Sequence, residues 1–245
     1  MRFNLPPVIK QIVIACVVLF IGTSLLQMRH VYDLNQVLSM HYPSAPFFKP
    51  WQIITHMFMH GSIAHLVFNM FGLITMGTVL ENILGDKRFL MLFFYSGLGS
   101  IALHLMVQVY EVHHLTGLWL PTLQDLGLTI DGDKIYSTGQ LIKTKAQLDA
   151  IAGMYFQTLM GASGAIYGVV VAFAYLFPNT ELMFMFIPYP IKAKYLVPII
   201  IGLDLFLGLS NFQGDPIAHY AHLGGAISGF LLVYYWKKRD RKHFW

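Results

Sequence analysis

The sequence predicts an all-α polytopic membrane protein, one bundle of six membrane-crossing helices. Three observations predict it. Of 245 residues, 56% are AVILMFWYC and 11% are charged, against about 25% charged in soluble domains. The mean hydropathy is +0.58. Six apolar segments recur, most of them near the roughly 20 residues that a membrane helix needs. Together these exclude a disordered chain, a secreted disulfide scaffold and a soluble enzyme. The 21 glycines and 15% aromatics suit membrane helices, where glycine lets backbones approach closely. Cys16 is the single cysteine, so no internal disulfide forms. A dispersed net charge of +4 offers no footprint for nucleic acid.

The spans are justified in chain order. The first covers about Ile12–Met28 after a short basic start with Arg2 and Lys10. It reads as an anchor and not a cleaved leader, because no small-residue cleavage site follows Leu26. The second covers about Ile63–Leu80, the third Phe89–Val109, the fourth Ser163–Phe177, the fifth Tyr195–Leu209 and the sixth Ile217–Trp236. The run Leu182–Ile187 is too short to span and reads as interfacial. The whole chain, 1–245, is expected to form one membrane domain with an extended outer loop at about 110–162.

Lysine and arginine set the orientation. With the N-terminus inside, 11 of the 16 fall on inner segments and 5 on outer ones. Both termini are then cytoplasmic. Two outer connections are long. Residues 29–54 carry Pro43, Pro46, Pro50 and Trp51. Within 110–162, Leu128–Tyr136 predicts a hairpin around Asp131-Gly132. Thr144 predicts the cap of a short helix with Leu148, Ile151, Ala152 and Tyr155 on one face.

Polar side chains inside a membrane are expensive, so each marks a functional hypothesis. They are His65, Asn69, His104, Ser163, Asp204, His219 and His222. The fourth span has 15 residues. At ~1.5 Å per residue it is roughly 22 Å long, which leaves Ser163 roughly 8 Å below the outer surface of a ~30 Å core. Asp215-Pro216 reads as a helix start, and His222 lies about 9 Å deeper from the same side. The depths agree. Gly164 and Gly168 beside Ser163, and Gly225 and Gly229 after His222, form two small-residue faces that let spans four and six pack backbone to backbone. Ser163 and His222 then come within hydrogen-bond reach, the minimum for an activated hydroxyl. His65 and Asn69, four residues apart, share a face of span two near the same depth, as donors for a developing oxyanion would.

These residues resemble the rhomboid intramembrane serine proteases. The resemblance rests on His65-Leu-Val-Phe-Asn69, Gly161-Ala-Ser163-Gly164 and Ala221-His222-Leu-Gly-Gly225 with Gly229. His56, His60, Glu81 and Gly85 also stand where the family places such residues. The resemblance covers nearly the whole chain. It implies a six-helix rhomboid-like bundle and a Ser–His dyad without a required aspartate. Ser163 would be the nucleophile and His222 the base. His65, Asn69 and the Ser163 N–H would stabilise the oxyanion. Tyr167 would pack against the histidine, with Gly161, Gly164 and Gly225 in support. It implies membrane-protein substrates cleaved near their outer end, the bilayer as surroundings, and no cofactor or metal. Many members carry Trp-Arg in the first loop, where this chain has Trp51-Gln52.

Two other functions compete. A proteolytically dead protein of the same fold would bind membrane helices and hand them on. A small transporter would rest on Asp204, placed about 14 Å into span five, near the midplane and without an identified partner. His219, one turn from His222 and nearer the surface, is read as a bystander. His104 is read as structural. The helical spacing of His56 and His60 suits hydrogen bonding in the first outer loop better than a metal, since no carboxylate is near. The six-span layout is expected in a bacterial plasma (inner) membrane.

Overall fold

The computed structural model describes residues 5–131, 134–139, 141–183, 189–210 and 218–240. Six long helices follow one another: α1 (Pro7–Met28), α2 (Ile63–Leu84), α3 (Asp86–Thr116), α4 (Ser163–Leu176), α5 (Ala193–Ser210) and α6 (His219–Arg239). Of these, α1, α2 and α3 are each long and apolar enough to cross a membrane. Helix α4 has only 14 residues, and α6 carries polar residues at its start and Lys237, Lys238 and Arg239 in its last turn. The result is an all-α membrane bundle. Large apolar side chains such as Val18, Phe68, Met91, Ile199, Phe206 and Leu231 face outward from it.

Local chemistry sets each helix end. Pro7 opens α1, where its missing N–H costs nothing. The next two amides, of Val8 and Ile9, donate to Glu81 Oε1 and Oε2 at 2.8 and 2.9 Å. A buried carboxylate of α2 thus caps α1, satisfying amides that a helix start leaves free. Ser62 caps α2 by accepting from the His65 amide at 3.1 Å. The turn Leu73–Gly77 widens to a π-helix within α2, where Thr75 Oγ1 donates back to the Phe71 carbonyl at 2.7 Å. Gly85, at φ 78°, turns the chain directly into α3. That helix runs 31 residues to a left-handed Gly117. It extends past the expected apolar span, Phe89–Val109, at both ends.

The core joins Ile9, Ile12 and Cys16 of α1, Leu66, Leu73 and Leu80 of α2, Phe89, Leu92 and Phe93 of α3, Ala165, Val169 and Ala172 of α4, and Val233 of α6. A second core lies between the two long connections. It contains Tyr42, Val112, Leu126, Leu128, Ile142, Ile151 and Tyr155, with the Tyr42 and Tyr155 rings 4.8 Å apart. The predicted hairpin is present as β1 (Leu128–Asp131) paired with β2 (Lys134–Ser137). Its turn at Gly132 is outside the described residues. Thr144 caps Lys145–Phe156 in a capping box with Gln147, and that helix buries Ile151 and Tyr155 as expected. Leu182 pairs with Ile191 in a two-residue strand contact. The rest of the run to Ile187, and the expected cap at Asp215-Pro216, are outside the described residues.

Candidate active site

Three helices meet through glycines. A Cβ on Gly225 of α6 would lie 1.8 Å from the Gly164 carbonyl oxygen of α4, and one on Gly229 would lie 2.5 Å from Gly168 Cα. On α3, Ser100 and Ser96 fill the space at Gly164 and Gly168, and Gly99 approaches Gly224 in the same manner. No side chain fits at these crossings, so the backbones touch.

That packing carries Ser163, the first residue of α4, against the first turn of α6. Ser163 Oγ and His222 Nε2 are 2.9 Å apart. The Tyr167 ring, one turn along α4, stacks on the His222 ring at 4.2 Å and 8°. On its other edge, His222 Nδ1 is 3.0 Å from Asp204 Oδ2 of α5. The second oxygen of Asp204 is 2.6 Å from His219 Nδ1. Asp204 and His219 are both buried.

His65 and Asn69 converge beside this pair. Gly161 takes φ +123°, and a Cβ there would lie 2.7 Å from His65 Nε2 and 3.6 Å from Asn69 Nδ2. Only glycine accepts both that backbone and that space. The Gly161 amide donates to the His56 carbonyl at 2.9 Å, and the His65 ring meets the His60 ring edge-on at 5.1 Å. Asn69 is 7% exposed, and its Nδ2 has no hydrogen-bond partner among the described residues. His56 Nδ1 contacts the Gln52 carbonyl at 2.8 Å, and His60 Nδ1 contacts the Phe58 carbonyl at 3.3 Å. Burial pushes both imidazoles down to about 4, with the neighbouring His65 adding to the effect at His60.

A cavity of about 540 Å³ opens beside Ser163, Asn69 and Tyr167. Its walls are Phe68, Phe71, Thr75 and Val79 of α2, Val170 and Phe173 of α4, and Leu196, Val197, Ile200 and Ile201 of α5. An interior polar cavity is expected from the need for water, yet this space is mostly apolar. Its lining comes from α2, α4 and α5, with Leu182 and Met183 beside them.

The family profile described as Rhomboid domain matches residues 48–120 and 134–239. The chain belongs to the rhomboid family. It is 26% identical over 212 residues to an uncharacterized mitochondrial rhomboid protein of Schizosaccharomyces pombe, covering 78% of this chain and 52% of that one. It is 27% identical over 183 residues to rhomboid protease GluP of Bacillus subtilis, covering 74% and 25%. It is 25% identical over 159 residues to rhomboid protease GlpG of Salmonella typhi, covering 64% and 50%. The chain thus spans between a quarter and about half of the length of these three relatives.

Within this rhomboid domain the first loop departs from the common Trp-Arg, and the structure shows what Gln52 does. Its fully buried amide accepts from the His41 and Lys49 N–H groups at 3.3 and 3.1 Å. It donates to the carbonyls of Gln36, Val37 and Phe47 at 3.0–3.3 Å. One side chain therefore ties five backbone groups of the loop.

Ser163, His222, His65, Asn69, Tyr167, Gly161, Gly164 and Gly225 all fall in one site. Sequence reasoning names Asp204 as an intramembrane polar candidate but places it near the midplane without a partner, and reads His219 as a bystander; the structure joins Asp204 to both His219 and His222. Counted from the start of span five, it falls near the midplane. Counted back from Ser210, the last residue of α5, it lies about 9 Å from that end of the helix, where it meets His222. The short connection between α5 and α6 makes them antiparallel neighbours, so counting from that end was the available signal.

Proposed function

We propose that this chain is an intramembrane serine endopeptidase. The observation that carries the reading is the 2.9 Å approach of Ser163 Oγ to His222 Nε2 beside an apolar cavity that Ser163 lines. Ser163 Oγ attacks the scissile carbonyl as its proton passes to His222 Nε2. The tetrahedral intermediate places negative charge near the first turn of α4, whose amides lack intrahelical partners. The Ser163 N–H, Asn69 Nδ2 and the His65 ring are the donors for that charge. Collapse breaks the C–N bond, and His222 returns the proton to the leaving amine. A water molecule then hydrolyses the ester on Ser163 by the same proton path.

The substrate is a membrane-protein segment. The cavity between α2 and α5 is the place where such a helix enters. Its backbone must unwind locally, because a helical carbonyl is already hydrogen-bonded and shielded. Small or helix-breaking residues at the cleavage point are favoured for that reason. The lysine and arginine distribution places both termini on the inner, positive side, with Ser163 near the outer face. The expected bacterial plasma membrane is without support, because the relatives include both mitochondrial and bacterial proteins.

The test is incubation of the purified protein with a tagged membrane-spanning substrate. Wild type cleaves it and Ser163→Ala does not. Equal cleavage by both would remove Ser163 from the role. No cleavage by either, across several such substrates, would favour a helix-binding protein without protease activity.

A further inference from the structure

We infer that Asp204 is a positioning residue that turns the Ser163–His222 pair into a three-membered relay, with His219 holding its second oxygen. The inference rests on the protease reading above and adds to it a third helix, α5.

The geometry carries it. A carboxylate only accepts hydrogen bonds, so the ring nitrogen that faces it carries the hydrogen. His222 Nδ1 faces Asp204 Oδ2 at 3.0 Å, which makes His222 the Nδ1–H tautomer. The lone pair of Nε2 is then directed at Ser163 Oγ, 2.9 Å away, ready to take its proton. With the tautomers exchanged, Nε2–H would meet the hydroxyl and no base would be available. The 2.6 Å contact to His219 Nδ1 fixes the other carboxylate oxygen, so the acid cannot rotate away. Tyr167, stacked on the opposite side, keeps the ring plane in line with both partners. When Ser163 attacks, His222 becomes an imidazolium, and the Asp204 carboxylate beside it stabilises that charge in a buried setting where Coulomb interactions are strong. Asp204 itself neither gains nor loses a proton.

The helices hold this arrangement. Gly208 of α5 sits where a Cβ would lie 2.9 Å from His219 Cβ. That close approach brings α5 onto α6 at the level of the network. The 2.6 and 3.0 Å separations are hydrogen-bond lengths.

The experiment compares wild type, Asp204→Asn, His219→Gln and Ser163→Ala in kinetics and in fluorophosphonate labelling. The asparagine is isosteric, but its NH₂ group can face Nδ1 and favour the wrong tautomer. In a soluble serine protease the equivalent change costs about 10⁴ in kcat. Asp204→Asn is expected to lower kcat by about 10²–10⁴ with KM changed less than about threefold, and to slow labelling in parallel. His219→Gln, which can still donate to Asp204, is expected to lose about tenfold or less. A purely structural Asp204 would instead lower the yield or melting point while leaving kcat per folded molecule intact.

A readout taken on the wild type itself is the ¹⁵N spectrum of histidine-labelled protein, with the His222 signals assigned by their absence from folded His222→Ala. Hydrogen on Nδ1 and none on Nε2 at neutral pH supports the relay. Hydrogen on Nε2 alone overturns it, as does an Asp204→Asn kcat within threefold of wild type. If wild type itself neither labels nor cleaves, the protease reading fails, and the ¹⁵N result still decides whether Asp204 sets the tautomer.

Discussion

The carbonyl oxygen of Gly164 occupies the place where Gly225 would carry a side chain, only 1.8 Å from an ideal Cβ. This crossing of α4 and α6 is what brings a serine at the head of one helix to a histidine in the first turn of the other. Backbone, unlike the tip of a flexible side chain, cannot move aside without moving a helix.

Gly225→Ala is therefore expected to separate the two helices. Overpacking typically costs about 1–3 kcal/mol, and a clash between backbones lies at or above the top of that range. The melting point in detergent should fall, and Ser163 labelling should fall with it. Gly22→Ala is the control, since a Cβ there meets nothing within 4 Å. It should leave both readouts unchanged. Equal behaviour of the two variants would refute the packing argument.

Asn69 offers a polar hydrogen with no partner among the described residues, beside the cradle at Gly161. A donor aimed at an oxyanion acts on the transition state more than on substrate binding. Asn69→Ala should lower kcat by about 10²–10³, or less if the other donors compensate, with a smaller change in KM. Fluorophosphonate labelling should continue at a reduced rate. An unchanged kcat would remove Asn69 from the oxyanion site.

The loop histidines give the fold an acid limit. Burial holds His56 and His60 at about 4 in the folded protein, against about 6.5 in an unfolded chain. Above pH ~6.5 neither state binds the proton, and the pair adds no pH dependence. As pH falls from ~6.5 toward ~4 the unfolded chain takes up protons that the folded one refuses, so stability declines. Unfolding midpoints in detergent between pH 7 and 5 should show that decline, and His56→Gln should lessen it. Identical slopes for the two proteins would contradict the assignment.

Topology is tested with thiols. In a Cys16→Ala background, cysteine at the exposed Asp149 should react with an impermeant reagent applied from the outer side, and cysteine at the exposed Lys238 should not. The reverse pattern would put Ser163 near the cytoplasmic face.

Most of the site was legible because its determinants are local. A small-residue spacing specifies a helix face, and counting from a helix end gives a depth, so Ser163, His222, His65 and Asn69 could be brought together without coordinates. The hairpin and the Thr144 cap were legible for the same reason. The partners of Asp204 were not, because they lie on another helix and its depth depends on which end is counted. The role of Gln52 was also hidden, since five backbone groups converge on it only after the loop has folded. The π-turn at Leu73–Gly77 carries no marker in the sequence.

The central claim is that Ser163 is an activated nucleophile. The most direct measurement is reaction of the purified protein with a fluorophosphonate, followed by mapping of the modified peptide. The account predicts one adduct, on Ser163, that disappears in Ser163→Ala and in His222→Ala while both variants keep the wild-type melting transition. An adduct on another serine, or undiminished labelling of Ser163 in His222→Ala, would contradict it.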